Sequence, residues 1–327
     1  MIINKRLSNI KQSFRDFLTL HNHPLHGEIN YDANNFHALK CPNGSKADAR
    51  YKIYPDGNGY LKCWKCNVEV VFFANHAQRI QPNKFVPHDC MPEIQTNYTK
   101  AAELANKVFA IADNIKASQH GYLQKKHVSH FDLRVLTREN NDTREAKCYP
   151  GTLLIPCYDI NNNLVNLERI YFSKNENKFQ KRPLQGARRN GTFYLFGRIS
   201  NAQNIIYLSE GWSSAATIYE AVGCTTIAAF NCGNLKYVAD IIHRNHPQIK
   251  IVITGDRDSN QIGEISAKQA SEYIGGVYVL PDFTIIPNDL RPDIQRSDFN
   301  DLFVLLMAKG LNRTAALRIV QQQIQTI

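Results

Sequence analysis

The sequence predicts an α/β protein in which a parallel sheet is flanked by helices, preceded by an α+β segment and a small N-terminal β domain. Three observations lead to this prediction. From residue 204 onward, apolar stretches of strand length alternate with stretches of helical length, which is typical of a parallel sheet covered on both faces. Residues 151–200 contain consecutive strand-like stretches, and residues 36–66 contain a hairpin-like stretch that ends in cysteines.

Each element after residue 204 can be assigned from its pattern. The strands are predicted in "NIIYLS", "CTTIAAF", "IKIVIT" and "VYVLP". The helices between them are predicted in "WSSAATIYEAVG", closed by Gly223, in "NLKYVADIIHRNHP", stopped by Pro247, and in "EISAKQASEYIGG". Two more helices, "DFNDLFVLLMAKG" and "NRTAALRIVQQQIQ", follow, and the second is capped at Asn312 or Thr314.

The segments before residue 201 are less regular. Short strands separated by turns are predicted in "GTLLIPCYDI", "NLVNLERIYF" and "GTFYLFG". The stretch "TKAAELANKVFAIADNI" has apolar residues at helical spacing. The preceding stretch, "IQPNKFVPHDCMPEIQTNY", carries three prolines and little periodicity, so we predict a linker at residues 81–98.

Composition and charge limit the classes of protein. Hydrophobic residues make up 43% and charged residues 21% of the chain, as in ordinary globular proteins. We find no apolar stretch of transmembrane length and no signal peptide, so we expect a cytoplasmic protein with no membrane partner. The net charge of +10 is uneven, since residues 1–200 hold 29 basic and 17 acidic side chains. This half is predicted to face a polyanion, with solubility as the alternative explanation.

Five acidic residues follow predicted strands. Glu210 ends the first strand, Asp256 and Asp258 end the third, and Asp298 and Asp301 lie after the last. Carboxyl ends of parallel strands meet at one sheet edge, and residues two apart on an extended chain point to the same side. Such carboxylates repel unless a cation lies between them, and oxygen ligands suit Mg²⁺ or Mn²⁺. Taken singly, Asp258 and Asp298 are also plausible helix N-caps, and Glu210 a turn residue.

The stretches "LSEGWSSAATIYEAVG", "AAFNCGNLKYVA", "ITGDRD" and "SDFNDL" resemble the TOPRIM domain of DnaG-type primases, topoisomerases and related nucleases. The resemblance is closest to TOPRIM primases of phages and plasmids and covers about residues 120–310. It implies that Glu210, Asp256 and Asp258 bind catalytic Mg²⁺ or Mn²⁺, with Asp298 and Asp301 as further candidates. Arg257 departs from the family, in which a smaller polar residue is frequent between the two aspartates.

A basic segment at residues 168–189, "ERIYFSKNENKFQKRPLQGARR", interleaves cations with Tyr171 and Phe179, which suits phosphates and unpaired bases. It resembles the subdomain that precedes TOPRIM in DnaG-type primases, which implies that Arg169 and Lys178 hold template or nucleotide phosphates. A solvated basic loop is the alternative. The predicted nucleic-acid or nucleotide contacts are Arg169, Lys174, Lys178, Lys181, Arg182, Arg188 and Arg189. The stretch "QHGYLQKKHVS" also resembles a short element of the phage family, and its lysines are interpreted as surface charge.

The N-terminal region carries a predicted metal site. Cys63 and Cys66 form a Cys-x-x-Cys knuckle after a hairpin-like stretch, and with His37 and Cys41 they offer four ligands for a tetrahedral zinc ribbon. The site resembles the zinc-binding domain of primases, which engages template DNA, although a His-x₃-Cys pair replaces the usual doublet. Other candidates for the fourth ligand are His21, His23 and His26. A metal-free hairpin is the alternative, and a disulfide framework is not expected.

These expectations describe a primase that makes short RNA primers on single-stranded DNA from nucleoside triphosphates. Because the sequence contains no G-x-x-x-x-G-K-[ST] loop, a replicative helicase would be a separate partner. A metal-dependent TOPRIM nuclease and a non-catalytic single-stranded-DNA-binding protein remain as alternatives. The predicted segments are a zinc-ribbon-like domain (1–80), a linker (81–98), a basic α+β subdomain (99–200), a TOPRIM domain (201–290) and a C-terminal acidic motif with helices (291–327).

Overall fold

A computed structural model describes residues 13–20, 23–26, 29, 36–41, 48–53, 59–63, 68–72, 92–137, 146–202, 204–259 and 261–325. The chain divides into two compact units, Met1–Pro92 and Glu93–Ile327. Each unit has hydrophobic core residues of its own. Across the described ranges, the helices fall short of the length and apolar character that crossing a bilayer requires.

The N-terminal unit contains an antiparallel sheet with the strand order β1-β2-β3-β4. The strands are β1 (His37–Leu39), β2 (Ala49–Ile53), β3 (Gly59–Cys63) and β4 (Val68–Phe72). Residues 13–20 form a helix, α1, whose Phe14 and Leu18 are fully buried against Ile53 and Leu61. The predicted hairpin is therefore the centre of a four-stranded sheet with a helix packed on it.

The second unit begins with a helix and an antiparallel sheet of order β5-β6-β7-β8. The elements are α2 (Pro92–Ala110), α3 (Gly121–Lys126), β5 (Arg134–Val135), β6 (Leu153–Tyr158), β7 (Leu164–Ser173) and β8 (Lys178–Pro183). The helix α2 packs on one face of this sheet, where Ala105 and Val108 share a core with Leu154 and Leu167.

Two details of this region differ from the sequence prediction. The strand β8 was missed because, as an edge strand, it exposes Lys178, Lys181 and Arg182 and so looks like a charged loop. The predicted linker extends too far, because α2 begins at Pro92. Proline is well suited to the first turn of a helix, where its missing N–H leaves no hydrogen bond unmade. The remainder of the linker, residues 81–91, lies outside the described residues.

The second sheet has the order β13-β12-β10-β11-β9. Its strands are β9 (Tyr194–Phe196), β10 (Ile205–Ser209), β11 (Thr226–Ala228), β12 (Lys250–Thr254) and β13 (Val277–Val279). The last four are mutually parallel, and β9 pairs with β11 in the antiparallel direction. The strand β9 was expected to belong with residues 99–200, and the structure corrects this, because its ladder partner is β11.

Helices cover both faces of this sheet, as predicted. They are α4 (Trp212–Val222), α5 (Cys232–Asn245), α6 (Ile262–Ile274), α7 (Phe299–Ala308) and α8 (Arg313–Gln325). Ile206 and Ile253 pack towards α5 and α6, whereas Tyr207 and Val252 pack in the core that contains α7 and α8. The predicted cap of α8 is confirmed at Asn312, whose Oδ1 accepts the Ala315 backbone N–H at 2.9 Å.

Candidate active site

The carboxyl ends of β10 and β12 lie side by side. Ser209 and Thr254, their last residues, are in register, and their hydroxyls hydrogen-bond to each other. Glu210 follows Ser209 directly, and its carboxylate accepts a hydrogen bond from the backbone of Cys232, the first residue of α5. The positive end of the α5 dipole thus helps to hold the Glu210 carboxylate at this sheet edge.

The loop after β12 packs closely against α6, and two glycines allow it. A Cβ on Gly255 would lie 2.6 Å from the Cβ of Ala267, and a Cβ on Gly263 would lie 2.9 Å from the Cβ of Asp256. The close approach leaves Asp258 Oδ1 3.3 Å from the Gly263 backbone N–H, which donates to it. Asp258 therefore acts in part as a helix-terminal acceptor, as the structural alternative expected, although Gln261 is the N-cap of α6.

Arg257, which lies between Asp256 and Asp258 in the sequence, makes its hydrogen bonds with other loops. Its backbone N–H donates to Ser297 O at 2.7 Å and its Nε donates to Pro281 O at 3.2 Å. The side chain is solvent-exposed. An arginine is accommodated between Asp256 and Asp258 in the sequence because its side chain is directed to another loop.

Asp298 and Asp301 are both engaged by donors from the protein. Asp298 is the N-cap of α7 and accepts the Asp301 backbone N–H at 2.7 Å. Asp301 Oδ1 forms a salt bridge with Lys126 Nζ at 3.0 Å, and its Oδ2 accepts the Ser297 backbone N–H at 3.3 Å. Burial and the nearby Asp298 raise the pKa of Asp301 to about 6, and Lys126 opposes this rise. The helix-cap alternative is thus realised at Asp298.

The remaining carboxylates influence one another electrostatically. Burial, with contributions from Asp258 and Asp298, raises the pKa of Glu210 to about 7. Burial, Asp298 and Glu210 raise the pKa of Asp256 well above its ordinary value, and Lys181 opposes the rise at both groups. Because these carboxylates raise one another's pKa, the structure brings the predicted acidic residues to one region.

One carboxylate oxygen of this cluster lacks a hydrogen-bond donor in the described chain. Asp256 Oδ1 is buried, and no hydrogen-bond donor within the described ranges reaches it. A buried carboxylate oxygen without a donor is costly, and a divalent cation removes the cost. The oxygen-only donor set therefore fits Mg²⁺ or Mn²⁺. The carboxylate oxygens are nevertheless not tightly grouped. Among the described residues, the group of three potential ligands whose donor atoms all lie within 4.8 Å of one another is His23, Cys41 and Cys63, and it contains no carboxylate of this cluster.

The pKa shifts predict how stability depends on pH. Because the folded pKa of Glu210 is about 7 against an ordinary 4.5, the folded chain binds more protons than the unfolded chain between these values. The free energy of unfolding of the magnesium-free chain should therefore rise by about 1–3 kcal/mol as pH falls from 8 to 6. Urea unfolding at both pH values measures this, and Glu210→Gln should reduce the difference. An unchanged pH dependence in that variant would contradict the assignment.

Most cations of the basic segment are exposed, as binding would require, but Arg169 is buried and Arg188 is half-buried. Lys174, Lys178, Lys181 and Arg182 are exposed. Arg169 is 7% exposed, and its guanidinium donates to the backbone carbonyls of Ala146, Lys147, Arg182 and Pro183. The expectation that Arg169 holds phosphates is corrected, because its donors already hold the backbone in place. The others stay predictions. Arg188 is half-buried 3.7 Å from Asp159, and Arg189 is exposed.

Arg169 and Arg182, which are direct neighbours across β7 and β8, should therefore behave differently when replaced. Arg169→Met removes a donor from four backbone carbonyls and should destabilise the chain by about 2–4 kcal/mol in urea unfolding. Arg182→Gln should change stability by less than about 0.5 kcal/mol. It should instead lower single-stranded-DNA affinity and reduce the salt slope by roughly one. Equal stability losses in both variants would exclude this division of roles.

In the N-terminal unit, the structure brings together His23, Cys41 and Cys63, which are all buried. His37, the predicted fourth ligand, is not in this group and packs its ring 5.3 Å from the ring of Tyr51. His23 was one of the alternatives considered for that place. Cys66 lies outside the described residues. A His-Cys-Cys set at this spacing has the donor chemistry that suits zinc.

Lys126 was missed as a site residue. In the sequence, the lysines of "QHGYLQKKHVS" are interpreted as surface charge, which fits exposed Lys125 but not Lys126. Lys126 lies at the end of α3, and Asn300 Nδ2 donates to its carbonyl at 2.8 Å. Its ion-pair partner, Asp301, lies 175 positions away, so the local sequence pattern carried no signal for this contact.

The fold and site define a mixed α/β protein with a cluster of buried carboxylates at a sheet edge. Two curated relatives, both named DNA primase TraC from Escherichia coli, are similar to this chain. One is 32% identical over 151 residues, which is 42% of this chain and 14% of the relative. The other is 32% identical over 123 residues, which is 35% of this chain and 8% of the relative. The chain thus matches a small part of either relative's length, and the expected resemblance to DNA primases is confirmed.

Solved structures give weaker likenesses. The DnaG primase catalytic domain bound to single-stranded DNA is 13% identical with a TM-score of 0.45, covering 70% of this chain and 80% of that chain. The zinc-binding and RNA polymerase domains of Aquifex aeolicus primase are 12% identical with a TM-score of 0.39, covering 98% and 93%. A comparison with protein-family models finds no match.

Proposed function

We propose that this chain is a TOPRIM-type DNA primase that synthesises short RNA primers on single-stranded DNA by metal-dependent nucleotidyl transfer. The proposal rests on Asp256 Oδ1, a buried carboxylate oxygen for which no hydrogen-bond donor is found among the described residues. It belongs to a carboxylate cluster at the carboxyl edge of a parallel sheet. A cluster so arranged is suited to divalent cations that handle phosphate groups. The two relatives named DNA primase support the choice of reaction.

In this proposal Glu210, Asp256 and Asp258 would hold Mg²⁺ or Mn²⁺. Such ions, when bound, lower the pKa of a primer 3′-hydroxyl and stabilise charge on the pyrophosphate leaving group. Glu210 would act either as a ligand of these ions or as the general base that accepts the hydroxyl proton. Lys181 lies 5.5 Å from the centroid of the Tyr122 ring and opposes the charge of the carboxylates, so it is placed to orient a triphosphate.

The antiparallel sheet of the second unit, β5-β6-β7-β8, would position the template. Its β7–β8 hairpin exposes Phe172, 49% accessible, among the exposed cations Lys174, Lys178 and Arg182. Cations neutralise phosphates and exposed aromatic rings stack on unpaired bases, so this surface suits single-stranded DNA. The N-terminal unit, with zinc bound at His23, Cys41 and Cys63, would help to choose the start site. A replicative helicase is the protein partner that we propose.

The test is incubation of the chain with single-stranded DNA, magnesium and labelled ribonucleotides, with products resolved on a gel. We expect short labelled oligomers, and fewer of them with Lys181→Gln. Lys268→Gln is the matched control, because Lys268 is an exposed lysine on α6, outside the basic segment, and its Nζ is 4.0 Å from Glu272. Template degradation without synthesis would favour the nuclease, and binding without either reaction would favour a non-catalytic protein.

A further inference from the structure

Lys126 is held against the acidic cluster by contacts from several elements. Its Nζ lies 3.0 Å from Asp301 Oδ1, and its side chain is 21% exposed. Its carbonyl accepts a hydrogen bond from fully buried Asn300, whose Nδ2 also donates to Thr217 Oγ1 at 2.9 Å. The next carbonyl, that of His127, accepts from Arg313 at 2.8 Å. The end of α3 is thus tied to α4, α7 and α8, so the backbone that carries Lys126 is fixed, and the ammonium group is held by its ion pair with Asp301.

At this end of the cluster, both carboxylate oxygens of Asp301 and one of Asp298 have donors from the protein. Asp301 is 6% exposed, and each of its oxygens has a donor, Lys126 for Oδ1 and the Ser297 N–H for Oδ2. Asp298 caps α7 with Oδ1. Asp256, in contrast, has an oxygen with no donor among the described residues. A bound cation would therefore stabilise the cluster most at Asp256 and its neighbours.

We propose that Lys126 is a built-in counter-ion that takes the place of a second divalent cation at Asp298 and Asp301, so that the cluster binds one tight ion. A divalent ion on Asp301 would lie about 2 Å from a carboxylate oxygen and would face a fixed ammonium at close range. The repulsion is large in a partly buried site, whereas Lys181, the cation that acts on Glu210 and Asp256, is exposed and forms no ion pair with Glu210, Asp256 or Asp258 in the described chain. Lys126 is in this sense a positioning residue, and the inference deepens the proposed function, on whose metal site it rests.

The experiment counts tightly bound Mn²⁺ by the electron paramagnetic resonance signal of the free ion, using chain saturated with zinc. Wild type should bind one tight ion, and Asp256→Asn should lose it. Lys126→Gln should bind two. Lys125→Gln, the matched control with the same charge change on the exposed neighbour, should bind one. Lys126→Arg keeps the cation and should bind one, and Lys126→Gln combined with Asp301→Asn should return the count to one.

Two tight ions in wild type, an ion that persists in Asp256→Asn, or one ion in folded Lys126→Gln would overturn the inference. Circular dichroism checks that each variant folds. Should Lys126→Gln not fold, Asp301→Asn decides, because it should keep the single ion with affinity within about twofold. Loss of an ion in Asp301→Asn would identify Asp301 as a metal ligand and refute the counter-ion role. The count does not involve polymerisation, so absence of primer synthesis would refute the proposed function and leave the ion count to be judged separately.

Discussion

Asp256→Asn should abolish most primer synthesis while making the magnesium-free chain more stable. The variant removes the negative charge of a carboxylate whose Oδ1 has no hydrogen-bond donor among the described residues. Losing a proposed metal ligand should lower the rate of primer synthesis roughly 100- to 1,000-fold. The same change removes a buried charge that other carboxylates repel, so the free energy of unfolding should rise by about 1–2 kcal/mol. Steady-state primer synthesis and urea unfolding measure the two effects.

The opposite signs of these effects separate a functional carboxylate from a structural one. Asp289→Asn makes the same chemical change at an exposed position and should leave rate and stability nearly unchanged. Were Asp256 only a structural residue, its replacement would lower stability and reduce activity in proportion to the unfolded fraction. An active Asp256→Asn chain would remove Asp256 from the catalytic machinery.

Removing the metal from the N-terminal unit should unfold it. Structural zinc contributes about 10–16 kcal/mol in small zinc-finger peptides, far more than the net stability of a domain of this size. Cys63→Ser should therefore eliminate bound zinc and abolish the cooperative unfolding transition of this unit. Metal analysis of purified chain and calorimetry test both parts.

The histidines provide the matched pair for this experiment. His23→Ala should lose zinc, because His23 lies with Cys41 and Cys63, whereas His37→Ala should keep it. Loss of zinc from His37→Ala alone would restore the ligand set that the sequence suggested. Purified wild type without zinc would support the metal-free hairpin.

The sequence predicted the part of the fold in which local pattern and tertiary structure agree. Strands and helices after residue 204 are confirmed because apolar runs, Gly223 and Pro247 mark their ends. The strand β8 was hidden by exposed cations on an edge strand. The partner of β9 could not be deduced, because strand pairing across the chain depends on packing that no local pattern records.

The candidate site was likewise predicted only in part from the sequence. Strand ends were sufficient to expect Glu210 beside Asp256, since carboxyl ends of parallel strands meet. Arg169 was assigned with its basic neighbours because sequence does not distinguish a buried arginine from an exposed one. Lys126 and His23 depend on contacts between distant segments, and only the folded chain identifies which lysine and which histidine are involved.

The pairing of β9 with β11 affects how the second unit can be divided. A shortened chain that starts at residue 201 would keep every parallel strand yet leave the outer hydrogen-bonding groups of β11 without a partner. An uncovered apolar edge of this kind invites intermolecular strand pairing. Fragments that retain residues 193–196 should therefore remain monomeric at concentrations where shorter ones aggregate.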